Sequence, residues 1–443
     1  MVDHLWNTVR RHKSGEAVGV YSVCSAHPMV LEAAIRQSID DDTYVLIEAT
    51  SNQVDQFGGY TGMRPTDFRE MVFAIADANG LPRDRIVLGG DHLGPNRWQK
   101  EPAAEAMAKA EDLVEAYVAA GYTKIHLDCS MSCAGDPMPV GDDLVAERTA
   151  RLLRVAEDVA VREGITDDIL YVIGTEVPVP GGATETLGQL TSTCPQAARR
   201  TLDRHRAAFG ELGLDHVWPR VIGMVVQPGV EFDHLQVVDY RHDGTTELRT
   251  VLDDHPTLVF EAHSTDYQSS ERLNELVEDH WAILKVGPGL TFAMREALFA
   301  LALIEDELVP ADHRSHLIDV VERRMLARPE YWERYYEGDP DEQRIARRFS
   351  FSDRLRYYWP DPEIEAAVDR LYENLARVPI PLPLISQFLP DQYARVHAGV
   401  LAPQPRELVR DKIRDALRPY AAACFPTTVD ERAQLATTGE VLV

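Results

Sequence analysis

The chain has 443 residues, enough for one large domain and a smaller one, and its hydrophobic content of 45% is ordinary for a globular protein. Its formal net charge of −27 excludes nucleic acids and anionic membrane surfaces as main partners, because both require a cationic protein surface. The odd number of cysteines, five, and an N-terminus without an apolar leader predict a cytoplasmic protein that has no disulfide framework.

Between residues 18 and 308, short apolar runs alternate with longer helical patterns. The runs are apolar at almost every position, which is typical of parallel strands buried on both faces. Their alternation with helices predicts a parallel sheet covered by helices. The predicted strands are residues 18–23, 44–48, 86–88, 124–127, 169–173, 221–226, 258–260 and 282–286. The predicted helices are residues 29–39, 68–78, 103–119, 144–162, 195–212, 272–279 and 293–303.

Eight consecutive strand–helix units predict an α/β fold, a (β/α)8 TIM barrel over residues 1–310. A doubly wound open sheet is the alternative, but no glycine-rich dinucleotide-binding turn follows the first strand. Residues 311–443 carry helical patterns and predict a helical C-terminal extension, which packs on the barrel or forms an oligomer interface. Within it, the aromatic and basic run at 354–359 predicts the packing face of a helix rather than a nucleic-acid surface.

Polar residues follow nearly every predicted strand. In a TIM barrel the functional groups lie at these carboxyl ends of the strands. A purely structural barrel would not gather so many ionisable groups, because each costs several kcal/mol to bury unless it is paired or metal-bound. In chain order they are Ser25 and His27; Glu48 and Asn52; Asp91 and His92; Asp128; Glu176; Gln227; Glu261, His263 and Ser264; and Lys285, Gly287 and Gly289.

Two of these ends predict a metal site. His92 directly follows an acid. His263 follows Glu261 by two positions, so the side chains of Glu261 and His263 lie on one face if the strand continues through them. Imidazoles and a carboxylate together suit Zn²⁺, Mn²⁺ or a similar divalent ion. For each histidine taken alone, a structural hydrogen bond is the alternative.

The end of the eighth strand predicts a phosphate site. Gly287 and Gly289 precede a helix, and glycines there let backbone N–H groups and the helix N-terminus approach an anion. TIM barrels often hold phosphate near strands seven and eight, and Ser264 follows strand seven. A tight turn that requires glycine is the alternative interpretation.

The motifs identify a family. The chain resembles, nearly end to end, the Z-type (GatZ/KbaZ-like) subunit family of class II tagatose-1,6-bisphosphate aldolase. Members are described as non-catalytic partners of an aldolase chain, as epimerases that interconvert tagatose 6-phosphate and fructose 6-phosphate, and formerly as tagatose 6-phosphate kinases. A kinase is disfavoured here, because the sequence has no G-x-x-x-x-G-K-[ST] phosphate loop. The matching motifs are residues 47–54, 56–63, 89–96, 126–130, 174–178, 260–268, 284–292 and 381–393.

The resemblance implies a metal-dependent 4-epimerase of a phosphorylated ketohexose, or else an accessory subunit that works with a catalytic aldolase chain. The epimerase would break the C3–C4 bond in a retro-aldol reaction and re-form it with C4 inverted. Asp91 and Glu176 are then the candidate acid and base, although Glu48 or Asp128 could exchange roles with them. A homo-oligomer is compatible with either function.

The remaining roles follow from the epimerase hypothesis. The metal ligands are His92, Glu261 and His263. The phosphate contacts are Ser264, Lys285, Gly287 and Gly289. The contacts to the rest of the substrate are Glu48, Asn52, Asp128 and Gln227.

Overall fold

The computed structural model describes residues 2–174 and 190–426 of the chain. Its strands are β1 (Val20–Val23), β2 (Val45–Thr50), β3 (Ile86–Leu93), β4 (Lys124–Leu127), β5 (Leu170–Ile173), β6 (Val221–Val225), β7 (Glu231–Phe232), β8 (Val237–Val238), β9 (Val259–Ala262) and β10 (Trp281–Val286). Eight of them close into a parallel barrel in the order β1-β10-β9-β6-β5-β4-β3-β2, which confirms the predicted (β/α)8 fold and excludes an open sheet. The antiparallel pair β7 and β8 is an insertion that was not predicted.

Helices cover the barrel and form the C-terminal extension. Those before the extension are α1 (Val2–Lys13), α2 (Pro28–Asp40), α3 (Pro65–Asn79), α4 (Ala103–Ala119), α5 (Asp142–Glu163), α6 (Pro195–Glu211), α7 (Thr246–Arg249), α8 (Ser270–Glu278) and α9 (Pro288–Leu308). Those of the extension are α10 (Leu317–Ala327), α11 (Pro340–Phe349), α12 (Pro362–Ala376), α13 (Leu382–Phe388), α14 (Pro390–His397) and α15 (Pro405–Cys424).

Strand β3 is the one barrel strand that was predicted much too short. The predicted strand ended at residue 88, but β3 continues to Leu93 and pairs with β2 as far as Asp91. In the sequence, the two adjacent glycines of β3 indicate a loop. In the structure, Gly89 allows close packing against Glu48. A Cβ atom there would lie 2.6 Å from Glu48 Cγ, so glycine makes room for the glutamate side chain of the neighbouring strand.

An irregularity near the end of β3 brings two adjacent side chains to the same pocket. Neighbouring residues of a regular strand point to opposite faces. Here the pairing with β4 shifts register between Gly90 and Leu93, and His92 has a positive φ of 50°. Such bulges re-aim side chains and occur often beside active sites. Asp91 and His92 can therefore both face the interior of the barrel, and both line the pocket described below.

Helices α1 and α15 both pack against the barrel. Leu5 and Val9 of α1 pack into the core with Val20 and Leu46, at the end where the strands begin. Helix α15 packs against α2, α8 and α9, and the Gly19 N–H donates to the Cys424 carbonyl at 2.9 Å. The division into two domains at residue 310 and a homo-oligomer stay predictions. Among the described residues, no helix has the length and apolar character to cross a bilayer.

Candidate functional site

A network of buried charges fills the barrel near the carboxyl ends of its strands. Lys124 Nζ lies 2.7 Å from Glu48 Oε1 and 2.6 Å from Glu261 Oε2. Lys285 Nζ contacts the other oxygens of the same two glutamates and lies 2.8 Å from Asp91 Oδ1. None of these five side chains is more than 5% exposed. The charges therefore stabilise one another in place of water.

Two carboxylates and two imidazoles in this network form a four-donor group that fits a divalent cation. One donor atom from each side chain lies within 4.8 Å of the donors of the other three, and all four side chains are buried. His126 Nε2 has no hydrogen-bond partner among the described residues, which leaves it free to bind a metal. This donor set suits Zn²⁺, Mn²⁺ and similar ions. Its members are Asp91, His126, Glu261 and His263.

The charge balance of the site also fits a divalent cation. Burial makes uncompensated charge costly. Four carboxylates face two lysines, which leaves an excess of two negative charges that a dication would compensate. The buried carboxylates are those of Glu48, Asp91, Asp128 and Glu261, and the buried lysines are Lys124 and Lys285.

The surroundings set the protonation of the donors. Burial opposes ionisation of Asp91, but His92 and Lys285 outweigh it and hold the pKa of Asp91 well below its usual range. Burial also opposes ionisation of Glu261, but Lys124 and Lys285 outweigh it and hold the pKa of Glu261 well below its usual range. Burial lowers the pKa of His263 to about 3, so its imidazole is neutral near pH 7, the form that binds metals.

His92 takes a different position from the one predicted. Its Nδ1 lies 2.8 Å from Asp128 Oδ2, and its Nε2 lies 3.6 Å from Asp91 Oδ2. It lies outside the four-donor group, in which His126 stands where His92 was predicted. Although burial lowers it, the two aspartates raise the pKa of His92 above its usual value. The two aspartates thus favour the protonated form of His92, and Asp128 holds its imidazole beside Asp91.

The anion site predicted at the start of α9 already holds a carboxylate of the protein. Asp266 Oδ1 accepts hydrogen bonds from the N–H groups of Gly287 at 2.9 Å and Gly289 at 2.7 Å. Burial raises the pKa of Asp266 to about 6. In the described structure these two N–H groups are not available to a phosphate, and Lys285 is engaged by three carboxylates of the charge network.

A pocket opens above the network, between the strand ends and the C-terminal extension. Some predicted site residues line it: Asn52, Asp91, His92, His263, Ser264, Lys285 and Gly287. Others lie outside its lining: Glu48, Asp128, Gln227, Glu261 and Gly289. Side chains that the sequence did not predict also line it, among them Cys24, Gln53, Tyr60, Phe232, Asp266, Arg356 and Tyr357.

The side chain of Gln227 is hydrogen-bonded to the backbone of a neighbouring turn. Gln227 was predicted to bind sugar, but its Oε1 accepts hydrogen bonds from the N–H groups of Gly229 at 2.8 Å and Val230 at 3.0 Å. Its side chain therefore holds the turn before β7. Glu176, the second candidate acid or base, lies outside the described residues.

Two residues of β4 were missed although the sequence contains their signal. Lys124, His126 and Asp128 alternate with apolar residues, so they share one face of the strand. That face is the interior of the barrel, where Lys124 and His126 are both fully buried. A strand that was interpreted only as an apolar run therefore supplies one metal donor and one cation.

Arg356 and Tyr357 come from the C-terminal extension, in a 3₁₀ turn over Arg354–Tyr357. The tyrosine ring stacks on Tyr331 and meets Tyr60 edge-on, with centroid distances of 5.0 and 4.8 Å. The run at 354–359 was predicted to be a packing face, and Leu355, Tyr358 and Trp359 are buried. Arg356 and Tyr357 of the same run also line the pocket, which was not predicted.

Glu231, at the start of β7, is a buried carboxyl beside the pocket, hydrogen-bonded to Ser264. Burial raises its pKa from 4.5 to about 7. The folded protein thus holds this proton more tightly than the unfolded chain, so stability contributed by Glu231 is lost as pH rises from about 4.5 to 7. A Glu231→Gln variant should equal the wild type near pH 4 and exceed it in stability by about 3 kcal/mol at pH 8. Urea denaturation at both pH values measures this, and an equal difference at both would contradict it.

Comparison with known proteins identifies the family. The family model for D-tagatose-1,6-bisphosphate aldolase subunits of the GatZ/KbaZ-like type matches residues 5–425. The crystal structure of a probable tagatose 6 phosphate kinase from Sinorhizobium meliloti 1021 is 50% identical, covers 92% of this chain and 100% of that chain, and superposes with a TM-score of 0.85.

Two further structures are only distantly similar. The YdjI aldolase from Escherichia coli K12 is 13% identical, with 70% of this chain and 88% of that chain covered and a TM-score of 0.43. The fructose-bisphosphate aldolase from Campylobacter jejuni is 12% identical, with 85% and 95% covered and a TM-score of 0.43. These two similarities are too slight to bear on fold or function. The match over residues 5–425 does decide the family: this chain belongs to the GatZ/KbaZ-like family of D-tagatose-1,6-bisphosphate aldolase subunits.

Proposed function

We propose that this chain is a metal-dependent 4-epimerase that interconverts D-tagatose 6-phosphate and D-fructose 6-phosphate. The observation that carries the proposal is the buried four-donor group of Asp91, His126, Glu261 and His263, of which Asp91 and His263 line a pocket. The family match establishes the coarser statement, a relationship to tagatose-bisphosphate aldolase. An active site is favoured because burying these groups for structure alone would be costly.

The chemistry requires a base at the C4 hydroxyl and positive charge near O2 and O3. Asp91, ionised and lining the pocket, takes the proton from O4 as the C3–C4 bond breaks. His92 and Lys285 lie beside it as cations that stabilise negative charge developing on the sugar oxygens. The aldehyde then presents its other face, the C3–C4 bond re-forms, and Asp91 returns the proton to O4 with C4 inverted.

A divalent metal fits this scheme. His126, Glu261 and His263 would hold it, which leaves the neighbouring Asp91 available for proton transfer. When bound, it supplies Lewis-acid stabilisation of the negative charge on the cleaved sugar. Glu176 is the second candidate for proton transfer in this proposal.

The second candidate function is an accessory subunit of a tagatose-bisphosphate aldolase. The description of the matching family names an aldolase subunit, so the family match favours this alternative more directly than the epimerase. It predicts a complex with a separate catalytic aldolase chain and no turnover by this chain alone. The pocket would then bind the sugar phosphate without converting it.

The epimerase is tested with the purified chain, stripped of metal by EDTA and reloaded with Zn²⁺ or Mn²⁺. We expect the reloaded chain to convert D-tagatose 6-phosphate to D-fructose 6-phosphate, seen by ¹³C NMR, and the stripped chain to be inactive. Metal should also raise the midpoint temperature of thermal unfolding, because a free metal concentration of 100 times Kd adds about 2.7 kcal/mol to the free energy of unfolding.

The accessory function has a distinct signature in the same assay. If no metal gives conversion while this chain restores the activity of an added catalytic aldolase chain, the epimerase proposal fails and the accessory subunit stands.

A further inference from the structure

The pocket contains one cation, Arg356, that forms no direct ion pair with a described carboxylate. Among the basic residues of its lining, Lys285 contacts three carboxylates, and His92 lies beside two aspartates. His263 is hydrogen-bonded to Glu261 and neutral. Arg356 forms no ion pair with any described residue, in a chain whose net charge is −27. An anionic group entering the pocket therefore meets at Arg356 a positive charge that no described carboxylate approaches to ion-pair distance.

The contacts of Arg356 hold its side chain in place and leave some of its N–H donors without a partner among the described residues. Its Nη1 donates to the carbonyl oxygens of Ser352 and Asp353, and its Nη2 donates to Tyr357 Oη at 2.9 Å. A guanidinium has five N–H donors in a planar fork, and these contacts engage three of them. A fixed guanidinium with free donors is well suited to a phosphate, which it can bind through two parallel hydrogen bonds.

The competing position for an anion is less suitable. At the start of α9, the N–H groups of Gly287 and Gly289 already bind Asp266. A phosphate placed there would have to displace a carboxylate that lines the same pocket. At Arg356, by contrast, the hydroxyl groups of Tyr60 and Tyr357 offer further neutral donors, and no described carboxylate is hydrogen-bonded to the guanidinium.

We propose that Arg356 binds the phosphate group of the substrate, so that the C-terminal extension selects phosphorylated over unphosphorylated ketohexoses. The identity of the sugar rests on the proposed function, whereas the phosphate contact rests on the pocket itself. The reacting carbons would then lie over the four-donor group, and the phosphate would lie at the opposite wall, which the extension forms.

The test compares Arg356→Gln, Arg356→Lys and the wild type by calorimetric titration with fructose 6-phosphate and with fructose. We expect Arg356→Gln to weaken fructose 6-phosphate binding between about 10- and 100-fold, the range for hydrogen bonds to a charged group. Fructose binding should not change. Arg356→Lys should recover part of the affinity, because lysine keeps the charge but lacks the fork.

Arg406→Gln is the matched control. Arg406 lies outside the lining of this pocket, in adjoining cavities beside α12, and is paired with Asp369 at 3.5 Å. It should bind fructose 6-phosphate as the wild type does. Unchanged affinity in a folded Arg356→Gln variant, or equal weakening for fructose, would overturn the inference. Wild-type binding of fructose 6-phosphate that depends on Arg356 but gives no turnover would uphold the inference and defeat only the epimerase.

Discussion

A His263→Ala variant is expected to lose both divalent-metal binding and turnover while it remains folded. His263 belongs to the four-donor group and lies 3.0 Å from Glu261 Oε1. Removing a metal donor from this group should lower kcat/KM at least about a thousandfold, which corresponds to about 4 kcal/mol of transition-state stabilisation. Metal content after dialysis, circular dichroism and turnover of tagatose 6-phosphate measure the three properties separately.

His205→Ala is the matched control for this variant. His205 is also fully buried, but its Nδ1 bonds to the Thr201 carbonyl of its own helix, α6, at 2.8 Å, outside the pocket. It should keep metal and activity. If His263→Ala retains its metal, His263 is not a ligand, and the four-donor group is not the metal site.

The second large effect is expected for Lys124→Met, which should lower the free energy of unfolding by about 3–5 kcal/mol. Lys124 is fully buried and compensates two carboxylates, those of Glu48 and Glu261. Methionine fills similar space but carries no charge, so Lys285 alone would compensate these two buried carboxylates. Urea denaturation, followed by tryptophan fluorescence, measures the loss.

A double variant separates charge from packing. Adding Glu48→Gln to Lys124→Met removes one of the uncompensated charges and should recover a large part of the lost stability. Lys109→Met is the surface control. Its partner Glu101 is 31% exposed, and the change should cost less than about 1 kcal/mol. A Lys124→Met variant as stable as Lys109→Met would show that the buried network does not stabilise the fold.

The barrel was predictable because its strands carry a strong local signal. Seven predicted strands end within two residues of the observed ones, since parallel strands buried on both faces are apolar throughout. The exception, β3, contains two glycines and two polar residues, which locally indicate a loop. Only the fit of Gly89 against Glu48 on the neighbouring strand explains why this segment stays in the sheet.

The site was predictable in part, for the same physical reason. Asp91, His92 and His263 follow strands directly, so their place at one end of the barrel follows from the fold. Which donors converge depends on side-chain partners that local sequence does not reveal. Asp128 draws His92 out of the four-donor group, and Asp266 occupies the N-terminus of α9. Arg356 reaches the pocket through long-range packing, for which the sequence offers no periodic signal.

The pairing of the first barrel strand, β1, with the last, β10, bears on how the chain folds during synthesis. Strand β1 pairs with β10, so a nascent chain leaves both sheet edges unpaired until residue 286 has emerged from the ribosome. Arg356 follows later, and Tyr420 of α15, which donates to the Thr265 carbonyl at 2.6 Å, later still. We therefore expect the pocket to assemble only after residue 420 has emerged, so that the unfinished barrel depends on chaperones for protection from aggregation.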